Sequence, residues 1–135
     1  DMADAVTKTT VEDGPKRAVI YCTNTSDGTG ESAVVKVDVS ALSSLQDGTA
    51  CTGVRIGKIV FSNVGMGVKL LWDASTDVIA VELPADYSDT LDYSEISGLP
   101  NVAASGGNTG DIQLTTVGHS SGDTYSVVLH CLKQY

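Results

Sequence analysis

The run DTYSVVLHCLKQY (123–135) decides the fold class, because its side chains divide between two faces. Successive side chains of an extended strand point in opposite directions, so residues two apart share a face. One face of this run then carries Tyr125, Val127, Leu129 and Cys131. An apolar face of this kind predicts a strand that packs on a hydrophobic core.

The run SAVVKVDVS (32–40) has the same period of two. Ala33, Val35, Val37 and Val39 alternate with Val34, Lys36, Asp38 and Ser40. This pattern predicts a strand with one buried face and one mostly wet face.

Further strand-like runs lie on both sides of this segment. Val, Thr and other β-branched residues dominate them, and such residues pack well on a pleated surface. We predict strands at 16–24, 54–64, 68–75, 78–84 and 111–118, and a short strand within YSDTLDYS (87–94) anchored by Tyr87 and Tyr93. Gly57 lies where the apolar phase of 54–64 changes, which indicates a β-bulge.

About eight short strands, without a long amphipathic helix between them, predict an all-β chain. The expected fold is an antiparallel β-sandwich, jelly-roll-like. One helical turn is expected at LSSLQ (42–46), and TGDIQL (109–114) and SGDTYSVVL (121–129) are expected to be hairpin strands entered through the same Gly-Asp turn. Residues 1–15 are polar and end in EDGP, so we predict an N-terminal arm at 1–15, ordered against a neighbour, and one β-sandwich domain at 16–135.

The net charge of −9 argues against a nucleic-acid partner, because an acidic protein repels phosphate. Seven acids and no Lys or Arg lie between Asp73 and Glu95. This segment is either a solvated face with its loops or a patch for a basic partner or divalent cations. No apolar run approaches the roughly 20 residues that span a bilayer, so no membrane partner is expected.

Cys22, Cys51 and Cys131 give an odd count without a CxxC motif, which indicates neither a disulfide framework nor a zinc site. Cys22 and Cys131 lie in apolar runs, so we expect small buried hydrophobes with reduced thiols. The first residues are acidic and lack an apolar core, so no secretory signal is expected.

The segment NTSDGTGE (24–31) is the strongest candidate for a ligand loop. A phosphate loop needs a lysine after its glycines, whereas Glu31 follows here. A calcium loop needs more acids than Asp27 and Glu31. NTS (24–26) fits the N-glycosylation pattern, but only a secreted chain would use it. A hairpin or corner loop accounts for every residue, with glycines at positive φ.

His119, Ser120 and Asp123 are the one set from which a catalytic triad can be written. Neighbours in one turn seldom reach the required geometry, and no GxSxG motif is present. His130 lies on the face opposite to Tyr125, and Trp72 is expected in the core. We predict no catalytic, cofactor-binding or metal-binding residues and no cofactor, and we expect edges and apolar spots such as VGMG (64–67) and ISGLPNVAA (96–104) to serve partner contacts.

Three blocks of the chain resemble small virion proteins of tailed bacteriophages: TNTSDGTGESAVVKVDVSAL (23–42), VGMGVKLLWDASTDVIAVELP (64–84) and NTGDIQLTTVGHSSGDTYSVVLHCLK (108–133). The resemblance implies a non-enzymatic structural protein of the virion. Within that class it favours a capsid decoration or cement protein on the head surface that binds the major capsid protein as a homo-oligomer, typically a trimer. It implies no site residues.

Two alternatives stay open at this point. One is a tail or head–tail component of the virion. The other, from a different class, is a β-sandwich module that binds a glycan or calcium through the acids between Asp73 and Glu95. The expected reduced thiols fit assembly in a bacterial cytoplasm.

Overall fold

The computed structural model describes residues 4–135, which form an all-β sandwich of two antiparallel sheets. The nine strands are β1 (Ala5–Asp13), β2 (Arg17–Thr25), β3 (Val34–Val37), β4 (Gly53–Val64), β5 (Gly67–Trp72), β6 (Val78–Leu83), β7 (Tyr87–Asp92), β8 (Ile112–Val117) and β9 (Thr124–Gln134). Short 3₁₀ turns occur at Val39–Ala41 and Ser94–Ile96. The predicted fold class is confirmed.

The strands pair in a nested order. One sheet runs β1-β2-β9-β4-β7 and the other runs β3-β8-β5-β6. Thus β5 pairs with β6, β4 with β7, β3 with β8 and β2 with β9, as in a long hairpin wrapped around the core. Eight strands in two such sheets make a jelly roll, and β1 is a ninth strand added outside β2.

The core lies between the two sheets, and β9 supplies its centre in the five-stranded sheet. Tyr125, Val127, Leu129 and Cys131 are all buried, which confirms the face predicted for this run. Trp72 from β5 is fully buried opposite them, as predicted. Burying a large apolar side chain contributes about 1.5–3 kcal/mol, so these faces dominate the stability of the sandwich.

Gly57 forms the predicted bulge in β4. The pairing with β9 shifts register between Ile56 and Lys58. Because the extra residue reverses the alternation, Ile56 and Ile59 both reach the core. The ambiguous apolar phase of this run is explained by that single insertion.

The predicted arm at 1–15 differs from the structure over most of its length. Ala5–Asp13 forms β1, which pairs with β2 from Ala5–Thr25 to Asp13–Ala18 within the same chain. Residues 1–3 of the predicted arm lie outside the described residues. The polar residues of this segment give no sign of a strand because β1 buries neither face and needs only its ladder of backbone hydrogen bonds.

Lys36 was expected on a wet face, and this prediction is wrong. The strand β3 spans only Val34–Val37, and the Lys36 side chain is buried. Val34 and Val35 are both partly exposed instead. The cause is a register irregularity between Val35 and Val37, which breaks the period of two.

Three smaller predictions also need correction. The helical turn expected at 42–46 occurs earlier, at Val39–Ala41, where Asp38 accepts a hydrogen bond from the Ser40 amide. Tyr87 does not anchor the core, since half of it is exposed on the edge strand β7. The two Gly-Asp strands, β8 and β9, lie in different sheets and form no hairpin, because the turn between them crosses the sandwich.

Candidate functional site

The segment NTSDGTGE (24–31) is a corner loop between the sheets, and its last residue points inward. Gly28 and Gly30 have φ values of 103° and 78°, which only glycine adopts readily. A side chain at Gly30 would lie 2.3 Å from His119 Nε2, so the ring packs directly on this backbone. The loop has the geometry expected of a corner and not of a ligand cradle.

The carboxylate of Glu31 is engaged in a buried polar network. Its Oε1 accepts hydrogen bonds from Asn24 Nδ2 at 2.7 Å and from the Tyr125 hydroxyl at 2.5 Å. Its Oε2 lies 2.6 Å from Lys36 Nζ, and both side chains are at least nine-tenths buried. Burial and the Glu31 carboxylate both raise the pKa of Tyr125, which keeps its hydroxyl a donor. This network fastens the loop to both sheets.

The N-glycosylation pattern at NTS (24–26) is closed off by the fold. Asn24 is 1% exposed, and its amide nitrogen donates to Glu31 and to Asp4 Oδ2 at 3.1 Å. No glycan fits on a side chain enclosed in this way. In the folded chain Asn24 is therefore not accessible as a glycosylation site.

The triad written from His119, Ser120 and Asp123 does not assemble. His119 Nδ1 lies 3.1 Å from Thr116 Oγ1, and Asp123 Oδ2 accepts from the Ser120 backbone amide at 2.8 Å. Within residues 4–135 no hydrogen bond joins His119 to Ser120 or Asp123. Asp123 closes a turn here, which is a common role for Asp in loops.

Three of the seven acids between Asp73 and Glu95 stabilise turns or the start of a 3₁₀ turn. Asp77 accepts from the Ala74 amide, Asp86 from the Gly65 amide at 2.8 Å, and Asp92 from the Ser94 amide at 2.8 Å. The Ser94 amide hydrogen bond lowers the pKa of Asp92. Among residues 4–135 no three His, Cys, Asp or Glu side chains cluster as metal ligands.

The three thiols are buried and unpaired, as predicted for Cys22 and Cys131. Burial raises the pKa of Cys22 to about 11 and that of Cys131 to about 12. A thiol is a nucleophile only as the thiolate, so Cys22 and Cys131 have little reactivity at neutral pH.

The outer face of the five-stranded sheet is the most distinctive surface of the chain. Its residues alternate with the core residues and line up in rows across the strands. The first row consists only of hydroxyl residues, one from each strand: Thr7, Thr23, Ser126, Ser62 and Ser88. The Thr7 and Thr23 hydroxyls are hydrogen-bonded, as are those of Ser62 and Ser88 at 2.8 Å.

The next two rows differ sharply in character. The second row is apolar at its centre and consists of Thr9, Tyr21, Val128, Val60 and Thr90. Tyr21 and Val60 are 40% and 37% exposed, and a groove of about 570 Å³ runs beside them. The third row carries the charges and consists of Glu12, Val19, His130, Lys58 and Asp92.

We call the first two rows together the uncharged face. Among the three rows the charged residues occur only in the third, although Asp89 of the edge strand β7 also lines the groove. Interface cores are depleted of charges and enriched in aromatic residues such as Tyr. The centre of the second row shares these two features, since Tyr21 lies there beside Val128 and Val60 without a charge, whereas the serines of the first row are not typical of interface cores.

The two segments proposed from sequence as partner contacts behave differently. Met66 of VGMG (64–67) is fully buried and packs on its own domain, whereas Val64 of the same segment is 57% exposed. Ile96 and Val102 of ISGLPNVAA (96–104) are 54% and 67% exposed. Sequence reasoning missed the uncharged face, because its rows form only when five strands are in register.

In residues 4–135 no helix has the length and apolar content needed to cross a membrane. No family model matches this chain, and comparisons with curated proteins and with solved structures also give no match.

Proposed function

We propose that this chain is a non-enzymatic structural protein of a phage virion, a capsid decoration protein that binds the major capsid shell and stabilises it. The observation that carries the proposal is the uncharged face, an open sheet surface on an otherwise acidic molecule. The sequence resemblance to virion proteins supplies the identity of the particle. The protein acts as a homo-oligomer, with a trimer favoured, and has no nucleic-acid or membrane partner.

The chemistry of the uncharged face suits a protein partner. Tyr21, Val60 and Val128 offer apolar area at the centre, and hydroxyls border it. Ser and Thr hydroxyls both donate and accept, so they can satisfy backbone groups of a facing surface. The negative charge on the rest of the molecule keeps decorated particles from associating.

The jelly-roll pairing supports the proposal only by analogy. Jelly rolls occur in viral capsid proteins, but they also occur in lectins, and fold alone does not fix function. A glycan-binding or calcium-binding module is therefore the competing class. It would rely on the acids between Asp73 and Glu95, of which Asp77, Asp86 and Asp92 are already engaged by backbone amides.

The location in the particle is tested by purifying virions and imaging them by electron cryomicroscopy. The proposal expects hundreds of copies over the whole head. A few copies confined to the tail would favour the tail or head–tail alternative and overturn the decoration role.

The binding surface is tested with Val60→Asp, which places a charge in the centre of the uncharged face. Capsid binding should weaken by at least tenfold, because the carboxylate would lose its water on docking. The matched control is Val34→Asp on the other sheet, since Val34 is also 37% exposed. Equal binding by both variants, measured by cosedimentation with undecorated capsids, would show that another surface docks.

A further inference from the structure

The strand β1 is attached to the sandwich without belonging to its core. Eight of its nine residues are exposed on both faces of the sheet, and none contributes to the hydrophobic core. The eight strands of the jelly roll are complete without it. Removing β1 would cost its backbone ladder with β2 and few apolar contacts.

Two carboxylates hold the ends of β1. At one end Asp4 accepts from Asn24 Nδ2 at 3.1 Å and from the Asp27 amide at 3.1 Å. At the other end Asp13 accepts from Lys133 Nζ at 2.7 Å and from the Ser43 amide at 2.9 Å. Both carboxylates travel with the strand, whereas their partners stay with the body of the domain.

The connection from β1 to β2 is short, and its three carbonyl groups accept hydrogen bonds from Lys133 and Tyr135, which an opening of the connection would have to break. It consists of Gly14, Pro15 and Lys16, and its turn is closed by a hydrogen bond from the Gly14 amide to the Arg17 carbonyl. Proline fixes its own φ and disfavours the helical region for the residue before it, so an extended path through Gly14 is favourable.

We propose that β1 is an exchange strand, which leaves β2 of its own chain and pairs with β2 of a second copy. The segment that fits a vacated β2 edge best is β1 of a second copy, because the register and end contacts of β2 match that sequence. The incoming β1 restores the full ladder of backbone hydrogen bonds. Its Asp4 and Asp13 then bind Asn24 and Lys133 of the copy whose own β1 has left. An exposed β2 edge would otherwise be a site for unspecific pairing.

Exchange of an identical element links copies at low cost, because the ladder and the end contacts of β1 are remade in the oligomer and only the turn at Gly14 and the other hydrogen bonds of the connection are lost. The inference extends the proposed homo-oligomer by naming the contact that joins its copies. Reciprocal exchange gives a dimer, and exchange in one direction around a ring gives a closed trimer.

The experiment uses a pair of cysteines at Thr7→Cys and Thr23→Cys. These residues lie directly opposite each other in β1 and β2, with their hydroxyls hydrogen-bonded. The reduced protein is concentrated, incubated and then oxidised with glutathione disulfide. Exchange predicts covalent dimers and trimers on a non-reducing gel, in a fraction that grows severalfold with protein concentration.

The matched control is Ser62→Cys with Ser88→Cys, which lie opposite each other in β4 and β7. This pair should form only a disulfide within one chain, because both strands belong to the jelly roll. If Thr7→Cys with Thr23→Cys does not fold, Ala5→Cys with Thr25→Cys reports on the same pairing.

Only internal disulfides in the β1–β2 pair, at every protein concentration, would overturn the exchange. That result would leave the decoration role untouched, because binding to undecorated capsids is measured on the wild-type protein, in which Thr7 and Thr23 of the uncharged face are intact. Conversely, covalent oligomers of the cysteine variant, together with a wild-type protein that fails to bind capsids, would support exchange and contradict the decoration role.

Discussion

Glu31 and Lys36 show how a single residue pair shapes a loop. Both charges are buried, so their mutual attraction and the hydrogen bonds from Asn24 and Tyr125 must offset the loss of hydration. Neither residue was predicted to be buried from the sequence. Their positions depend on the corner loop turning inward and on the irregular register of β3, which are features of tertiary structure.

We expect Glu31→Gln to lower the free energy of unfolding by about 3–5 kcal/mol, because it leaves the Lys36 ammonium buried without a counterion. Adding Lys36→Met should recover part of this loss, because it replaces the unpaired buried ammonium with an apolar side chain. Urea unfolding at pH 7 measures both changes.

The control is Glu95→Gln, which alters an exposed carboxylate and should change stability by no more than about 0.5 kcal/mol. A small effect of Glu31→Gln, similar to the control, would mean that Lys36 reaches water and that the pair is not enclosed.

At the scale of elements, the two Gly-Asp turns enter their strands in similar ways but in different surroundings. Gly110 and Gly122 have φ values of 84° and 94°. A Cβ at Gly110 would lie 2.4 Å from the Thr52 carbonyl oxygen, whereas a Cβ at Gly122 would meet nothing within 4 Å.

Gly110→Ala should therefore destabilise the protein more than Gly122→Ala. Both variants carry the cost of positive φ, on the order of 1–3 kcal/mol, and only the first also forces backbone apart. The difference in thermal midpoint between the two variants isolates the close approach. Equal midpoints would show that the loop before β8 moves away freely.

The predictability of each element depended on whether it packs on the core. The run that became β9 was recognised from its period of two, and the hairpin of β5 and β6 from its turn. The strand β1 was missed as a strand, because polar residues on both faces give no periodic signal. The rows of the uncharged face depend on cross-strand register, which pairs residues as distant in sequence as Tyr21 and Val128 and leaves no local pattern.

At the scale of the whole molecule, the ends of β1 couple stability to pH. Burial of the Asp4 carboxyl acts to raise its pKa, but hydrogen bonds from Asp27 and Asn24 lower the pKa to about 2. Burial likewise acts to raise the pKa of Asp13, and hydrogen bonds from Lys133 and Ser43 lower it overall. Because the pKa of each carboxyl is lower in the folded chain than in the unfolded chain, the carboxylates stabilise the folded state at pH values above the unfolded-state pKa of 3.8. This contribution is lost as the pH falls toward 2.

Asp4→Asn should therefore be less stable than the wild type at pH 7, and the two proteins should converge as the pH falls from about 4 to about 2. Urea midpoints across this range provide the measurement. A constant gap between the two proteins would show that the Asp4 carboxylate does not clamp the strand.

The nested pairing of the strands also has a consequence for folding kinetics. Within the eight-stranded jelly roll only β5 and β6 pair across a short loop, and each outer pair closes a longer loop until β9 joins β2 across some hundred residues. Such a high contact order makes folding slow, because loop entropy is lost before long-range contacts form. During translation the larger sheet stays without its middle strand until Thr124–Gln134 has left the ribosome, so nascent chains expose unpaired strand edges and depend on chaperones for longer than a helical protein of this size.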